Sequence, residues 1–347
     1  MDDQGMTIPV YYHQDYLKPT QTSGHPESPE RIRAILRAIE REGIPADMVP
    51  PPRFTEQDLN AVHTGEHIKR VRDFGVGYMD PDTFHLDHTF DQSIKAAGGV
   101  LGAGKQAYLE KRPTFALPRP PGHHAGSDYN MGFCYFNNVA LAARIMQRTI
   151  DDLEKIAIID IDAHHGNGTS DIFEKDPSVL YVSTHNWGIF PGTGSVNDVG
   201  SGEGEGKTVN IPMEWGAGDP TFESSTSEII MPILRSFDPD MIFISLGVDA
   251  HMMDPLTGLT LSTPGYLSTV ESIYEYARSK KSSRISVELE GGYHLLALSE
   301  VVVGAMDIMA PDPKGVQIRY AGSKESAPDK NVILKAREVQ SSYWRDL

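Results

Sequence analysis

The chain has 347 residues, a single cysteine and a formal charge of −17, from 31 Lys+Arg against 48 Asp+Glu. A lone Cys134 excludes an intramolecular disulfide framework and a cysteine-only zinc site, and a reducing, cytoplasmic compartment is the expectation. The acidic balance disfavours nucleic acid and suits solubility or a cationic substrate; no long apolar run suggests a membrane span, and Met1–Pro9 lacks the apolar core of a signal peptide.

Taken in chain order, the apolar pattern predicts a weak strand at Ile8–Tyr12 and a helix at Pro29–Glu42, with Ser28 as N-cap and Glu30 and Arg31 in the first turn. Helices near Glu66–Asp73 and Asp91–Glu110, a weak strand at Thr114–Leu117 and a helix at Asn137–Arg148 follow. Lys155–Ile161 and Val179–Ser183 are predicted as buried strands, and Val209–Ile211 as a weaker one. Next come a helix at Thr221–Ser236, a strand at Met241–Leu246, a helix at Gly265–Ser279, a strand at Arg284–Leu289 and a helix at Leu295–Met309. The polar tail 311–347 carries one further helix near Asn331–Val339. Apolar strands alternating with helices imply one α/β domain, its parallel sheet covered on both faces, with ligands at the carboxyl ends of the strands.

Four strand-to-loop junctions carry chemistry. Arg119–Gly126 (RPPGHHAG) places His123 and His124 on a loop stiffened by two prolines, where one imidazole can act as base or acid and the other as electrostatic helper, although a surface His pair is equally compatible. Ile159–Gly168 (IDIDAHHGNG) runs an apolar strand into two carboxylates and two histidines. If the extended backbone continues, Asp160, Asp162 and His164 share a face. Buried carboxylates there are costly unless paired or bound to metal. The third junction ends in Asp249, with His251 and Asp254 further along as alternative ligands, and the fourth in Gly291–Gly292–Tyr293, whose glycines admit close approach and whose phenol can donate to an oxyanion. Together they fit two Asp and one His on a metal with an open fourth position.

RPPGHHAG, GFCYFNN, DIDAHHGNGT, FPGTG, GVDAHMMDPL and LEGGY, in this order over His25 to Met309, resemble the zinc-dependent histone deacetylase and acetylpolyamine amidohydrolase superfamily. HHGNG and LEGGY are closer to its class II and bacterial or archaeal branch. The resemblance implies an arginase-like single domain, 1–347, with a central eight-stranded parallel sheet, core motifs in 25–309 and a helical extension at 311–347. It implies Zn2+ on Asp162, His164 and Asp249, and catalytic roles for His123, His124 and Tyr293. Asp160 would partner His123, and Asn167 would partner His124. Gly132, Phe133 and Phe190 would line the substrate tunnel with Leu256 at its mouth. A structural K+ would be held partly by Asp160 and Ser183, and Arg31 would line an internal cavity. His124 would then serve as general base and later as general acid to the leaving amine.

The implied substrates are acetyl-lysine in a protein or peptide, an acetylpolyamine, or another small amide. Leu256 resembles the apolar residue of deacetylases rather than a charged polyamine gatekeeper, while Asp80–Asp82 offers either a rim acid that holds a substrate or a plain turn. One alternative is an arginase-type manganese ureohydrolase, against which His165-Gly166-Asn167 stands where a further Asp would be needed. The other is a non-catalytic acyl-lysine binder. A homo-oligomer is also compatible with the resemblance. Cys134 is expected to pack rather than react.

Overall fold

The computed structural model describes residues 7–280, 284–325 and 327–347; the acidic first six residues lie outside this set. The chain alternates strands and helices: β1 (Ile8–Tyr11), α1 (Pro29–Glu42), β2 (Ala46–Val49), α2 (Gly65–Asp73), a two-stranded hairpin β3–β4 (Gly77–Tyr78, Phe84–His85), α3 (Thr89–Glu110), β5 (Thr114–Ala116), α4 (Asn138–Thr149), β6 (Ile156–Asp160), α5 (Asn167–Phe173) and β7 (Val179–Asn186). Then follow β8 (Thr208–Met213), α6 (Asp219–Ser225), α7 (Met231–Phe237), β9 (Met241–Leu246), α8 (Thr263–Ser279), β10 (Ile285–Leu289), α9 (Leu295–Met309) and α10 (Lys330–Gln340). Eight strands form one sheet in the order β2-β1-β5-β10-β9-β6-β7-β8, with every pairing parallel.

The central strands are buried along their whole length, which explains their continuous apolar sequence. Their side chains alternate between two apolar layers: on β6, Ala157 and Ile159 enter the layer beneath α1, α8 and α9, while Ile156 and Ile158 enter the one beneath α3 and α4. Asp160 ends β6 on the second face, where Tyr181 of β7 meets it. The reversal of strand order around β6 and β9 brings their carboxyl ends side by side, the place where an α/β sheet opens a crevice.

Several predicted boundaries change. Ser28 sits at the N-cap of α1, but its side chain makes no capping bond; Pro29 at the first position and Gly43 in the left-handed conformation bound that helix. The edge strand β2 carries no strand signal in the sequence, because ADMV is short and only half-buried. Thr221–Ser236 resolves into α6, a π-turn at Thr226–Ile230 and α7, with Pro232 in the first turn of α7. A proline lacks the N–H that a regular helix needs, and the wider turn ahead of it accommodates the loss. β7 runs on through His185 and Asn186, polar residues that end the apolar signal yet pair with β8.

Under the carboxyl end of the sheet lies a fully buried ion cluster. Glu27 accepts from Arg119 Nε at 2.5 Å and Nη2 at 3.0 Å, and from Arg31 Nη1 at 3.4 Å. Burial alone would raise the Glu27 pKa, but Arg119 above all, with Arg31, holds it down at about 2. A depressed carboxylate stabilises the fold above its unfolded pKa, and that contribution is lost as pH falls from about 4.5 toward about 2. Glu27→Ala leaves two buried guanidinium groups facing each other. Urea unfolding at pH 7 is expected to show a loss of about 3–5 kcal/mol, and the deficit should shrink at pH 3.

Candidate metal centre and active site

Asp162 and His164 leave the end of β6, and Asp249 leaves the end of β9. His164 Nδ1 lies 3.1 Å from Asp162 Oδ1 and 3.0 Å from Asp249 Oδ2. One ligand atom from each residue falls within 4.8 Å of the others, and this is the grouping able to hold a metal ion found among the described residues. A tetrahedral ion with ligands at about 2.0–2.1 Å has edges of roughly 3.3 Å, so the two measured edges suit zinc. The carboxylates are aimed by backbone: Asp162 Oδ2 accepts Gly291 N at 2.8 Å and Asp249 Oδ1 accepts Ala163 N at 2.7 Å. A Cβ on Gly247 or Gly291 would collide with these carboxylates, so the close approach expected at Gly291–Gly292 is that of Asp162 and Asp249 themselves. Burial opposes a charge on His164, but Asp249 and then Asp162 raise its pKa far above the ordinary range. That field favours a proton or, equally, a metal cation.

The tandem histidines lie beside this trio with ring centroids 4.0 Å apart. His123 Nδ1 meets Asp160 Oδ2 at 3.1 Å, an oxygen that also accepts the Tyr181 hydroxyl at 3.0 Å. Burial alone would lower its pKa, but Asp160 and then Asp162 raise it to about 10. His124 Nδ1 meets Asn167 Oδ1 at 2.8 Å, and Asn167 Nδ2 donates to the Tyr129 hydroxyl at 3.0 Å, which fixes the amide orientation. Nδ1 therefore carries the proton and Nε2 is left as an acceptor. Burial, followed by the charges of His123 and His164, lowers the His124 pKa well below normal. The pKa values of two adjacent imidazoles are thus pushed in opposite directions.

The predicted tunnel residues converge as well. Phe190 is 5.1 Å from the His124 ring and 6.3 Å from that of His164, and Phe133 stands edge-on to Tyr293 at 6.1 Å. Gly132 has φ +57°, and a Cβ there would overlap the His124 ring. Leu256 remains exposed at the rim. Ser183 is the register partner of Asp160 across β6–β7 and pairs its hydroxyl with His185 Nδ1 at 2.9 Å. Arg31 places its guanidinium 5.1 Å over the Tyr293 ring and donates to Gly292 O at 2.7 Å and to Glu290 O.

Other expectations are met or revised. Neither His251 nor Asp254 joins the trio. His251 packs against Tyr266 and Thr263. Asp254 Oδ2 accepts the backbone N–H of Tyr293 at 2.7 Å and of His294 at 3.3 Å, while Oδ1 accepts Leu256 N at 3.0 Å. This buried acid ties the rim to the tyrosine loop. His165 turns away onto Thr193 at 2.8 Å, so it adds no ligand for a second metal. Asp80 forms a turn, accepting from Asp82 N at 3.1 Å and Thr83 N at 2.8 Å. Cys134 is buried, and burial pushes its thiol well up, so it packs. The sequence reading misses Glu290, whose Oε2 accepts Gly122 N at 2.8 Å and His123 N at 3.3 Å beneath the His pair. Its place in LEGGY was the available signal.

The Histone deacetylase domain model matches residues 25–309. A "Probable deacetylase" of Archaeoglobus fulgidus is 38% identical over 98% of this chain and 99% of its own. "Histone deacetylase 14, chloroplastic" of Arabidopsis thaliana is 38% identical over 80% of this chain and 71% of its own. The crystal structure of the HDA15 HD domain superposes with a TM-score of 0.86 at 31% identity, covering 98% of this chain and 97% of that one. Fold and sequence define a hydrolase that acts on acetylated amides. The chain belongs to the histone deacetylase family, and its fold is the arginase-like α/β domain expected from the resemblance. No helix among the described residues is long and apolar enough to cross a membrane.

Because Asp254 holds the backbone of Tyr293, Asp254→Ala should free that loop. Steady-state kinetics are expected to show kcat reduced about 10–100-fold with KM little changed, the pattern of a lost transition-state contact.

Proposed function

We propose that the protein is a zinc-dependent deacetylase that cleaves the amide of acetyl-lysine or of a small acetylated amine, with acetyl-lysine as the favoured substrate. The observation that carries this reading is a pair of adjacent histidines, one partnered by a carboxylate and the other by an amide, beside the Asp162–His164–Asp249 trio. Zinc, when bound to these three residues, supplies a Lewis acid for the acyl oxygen and lowers the pKa of water toward 7.

The chain's own groups do the rest. His124, neutral and with Nε2 unprotonated, accepts the proton of the attacking water. His123, kept cationic by Asp160, stabilises the negative charge that develops on the acyl oxygen. Tyr293, whose phenol stays protonated because burial raises its pKa, donates a hydrogen bond to the same oxygen. His124 then returns its proton to the departing amine, leaving a free amine and acetate. Asn167, a neutral partner, orients His124 and raises its basicity less than a carboxylate would.

Phe133 and Phe190 would flank the aliphatic stem, and Gly132 keeps the wall from striking His124. At the rim, Leu256 is apolar, which suits an acyl-lysine rather than the second ammonium of a polyamine. The charge of −17 is what favours the polyamine reading. A potassium ion would draw oxygens from Asp160 and Ser183, hard donors adjacent in register, each with lone pairs beyond the hydrogen bonds described.

Competition between an acetyl-lysine peptide, acetylputrescine and acetylspermidine on the zinc-loaded protein, with a chelator control, tests the assignment. Chelator-sensitive release from the peptide in preference is expected; release from the polyamines alone would reassign the substrate. His124→Ala should lower turnover by about 10²–10⁴-fold while retaining zinc. Asp249→Ala should lose zinc by elemental analysis.

A further inference from the structure

Phe133 is a bulky residue in a conformation that bulky residues avoid. Gly132 and Phe133 have φ +57° and +67°, and Cys134 N donates back to Met131 O at 3.0 Å. Two central residues with positive φ make a type I′ turn, whose second central position favours Gly or Asn. A phenylalanine there persists only where its surroundings over-determine it.

Those surroundings are supplied by the turn joining β3 and β4. Gly132 N donates to Asp82 Oδ1 at 3.3 Å, and Phe133 N donates to Thr83 Oγ1 at 3.2 Å. The Thr83 hydroxyl donates in turn to Asp82 Oδ1 at 3.1 Å, so it is orientated with both donor and acceptor used. Thr83 is fully buried. Asp80 ties the segment down by accepting the N–H groups of Asp82 and Thr83 with one oxygen and the Asn130 amide with the other. Asn130 accepts from Arg70 of α2 at 3.1 Å. Phe84 N, next in the strand, donates to Gln21 Oε1 at 2.8 Å. Both backbone N–H groups of the strained turn thus end on side chains of one short segment, itself anchored through Asn130 and Gln21.

We propose that Asp82 and Thr83 are positioning residues that hold the Gly132–Phe133 turn and thereby fix the tunnel wall against the aliphatic stem of the substrate. The inference rests on Phe133 being that wall. It assigns the second and third residues of the sequence Pro81-Asp82-Thr83-Phe84, with its capping Asp80, to substrate grip rather than to direct contact with the reacting amide. Thr83 is the sharper test, because valine keeps its shape and removes only the hydroxyl. The stem is gripped alike in the ground and transition states, so its loss should appear in KM.

The experiment compares the wild type with Thr83→Val and Thr83→Ser on acetyl-lysine coupled to a fluorogenic coumarin. Amide hydrogen exchange at Gly132 and Phe133 is read by NMR on the same proteins. Thr83→Val should raise KM about tenfold, the worth of one buried hydrogen bond, with kcat within about twofold. Its Phe133 amide should exchange faster, and Thr83→Ser should restore both readouts. Unchanged KM and unchanged exchange in Thr83→Val would overturn the proposal, as would a loss confined to kcat. If Thr83→Val does not fold, Asp82→Asn takes its place, and faster Gly132 exchange with raised KM is then the supporting result and no change the contrary one. A wild type that hydrolyses no acyl-lysine would remove the deacetylase reading, while the exchange data would still decide whether the clamp holds the turn.

Discussion

Two carboxylates buried side by side set the terms for the rest of this site. Asp162 and Asp249 are wholly removed from solvent, and their metal-facing oxygens lie within 4.8 Å of each other. Two unit charges at that separation repel by roughly 3–4 kcal/mol at an effective dielectric near 20. Backbone N–H groups from Gly291 and Ala163 hold one oxygen of each carboxylate, and His164 stands between the others. Positive charge at the centre of the arrangement relieves that repulsion. Gly247 and Gly291 follow from it, since a Cβ at either would occupy the carboxylate's place.

The same constraint organises the neighbouring shell. Negative charge gathered at the end of β6 raises the His123 pKa through Asp160 and Asp162, and the charge of His123 is among those that lower the pKa of His124. The two adjacent histidines differ in the partner each Nδ1 meets, a carboxylate for His123 and an amide for His124, and burial lowers the His124 pKa. Below them, Glu290 fixes the loop that carries the pair, and Arg31 joins the Glu290 and Gly292 carbonyls to the Glu27–Arg119 cluster. The proposed substrate wall is built differently: a strained turn at Gly132–Phe133 is held from the side by a short hairpin.

Much of this was legible in the sequence because the chemistry is local. KIAIIDIDAHH writes a buried strand and two of the three candidate ligands in one stretch, and the glycine pair before Tyr293 announces a close approach. The edge strand β2 was not legible, since four half-exposed residues carry no pattern. The polar end of β7 hid the continuation of that strand, although His185 and Asn186 are buried in the sheet. Asp254 could be read as an acid near the site, but its use on the Tyr293 backbone depends on a contact 39 residues away. Glu27 and Arg119 are 92 residues apart, and nothing in either segment signals a buried ion pair. The left-handed Phe133 was equally invisible, because phenylalanine is not the residue that turn chemistry leads one to expect there.

The claim on which the account stands is that the Asp162–His164–Asp249 trio needs a divalent cation. Calorimetric titration of zinc into chelator-stripped, full-length protein measures this directly, with thermal unfolding recorded before and after. The account predicts one equivalent bound per chain and a rise in Tm on binding. Absence of stoichiometric binding, with Tm unchanged by zinc, would contradict it.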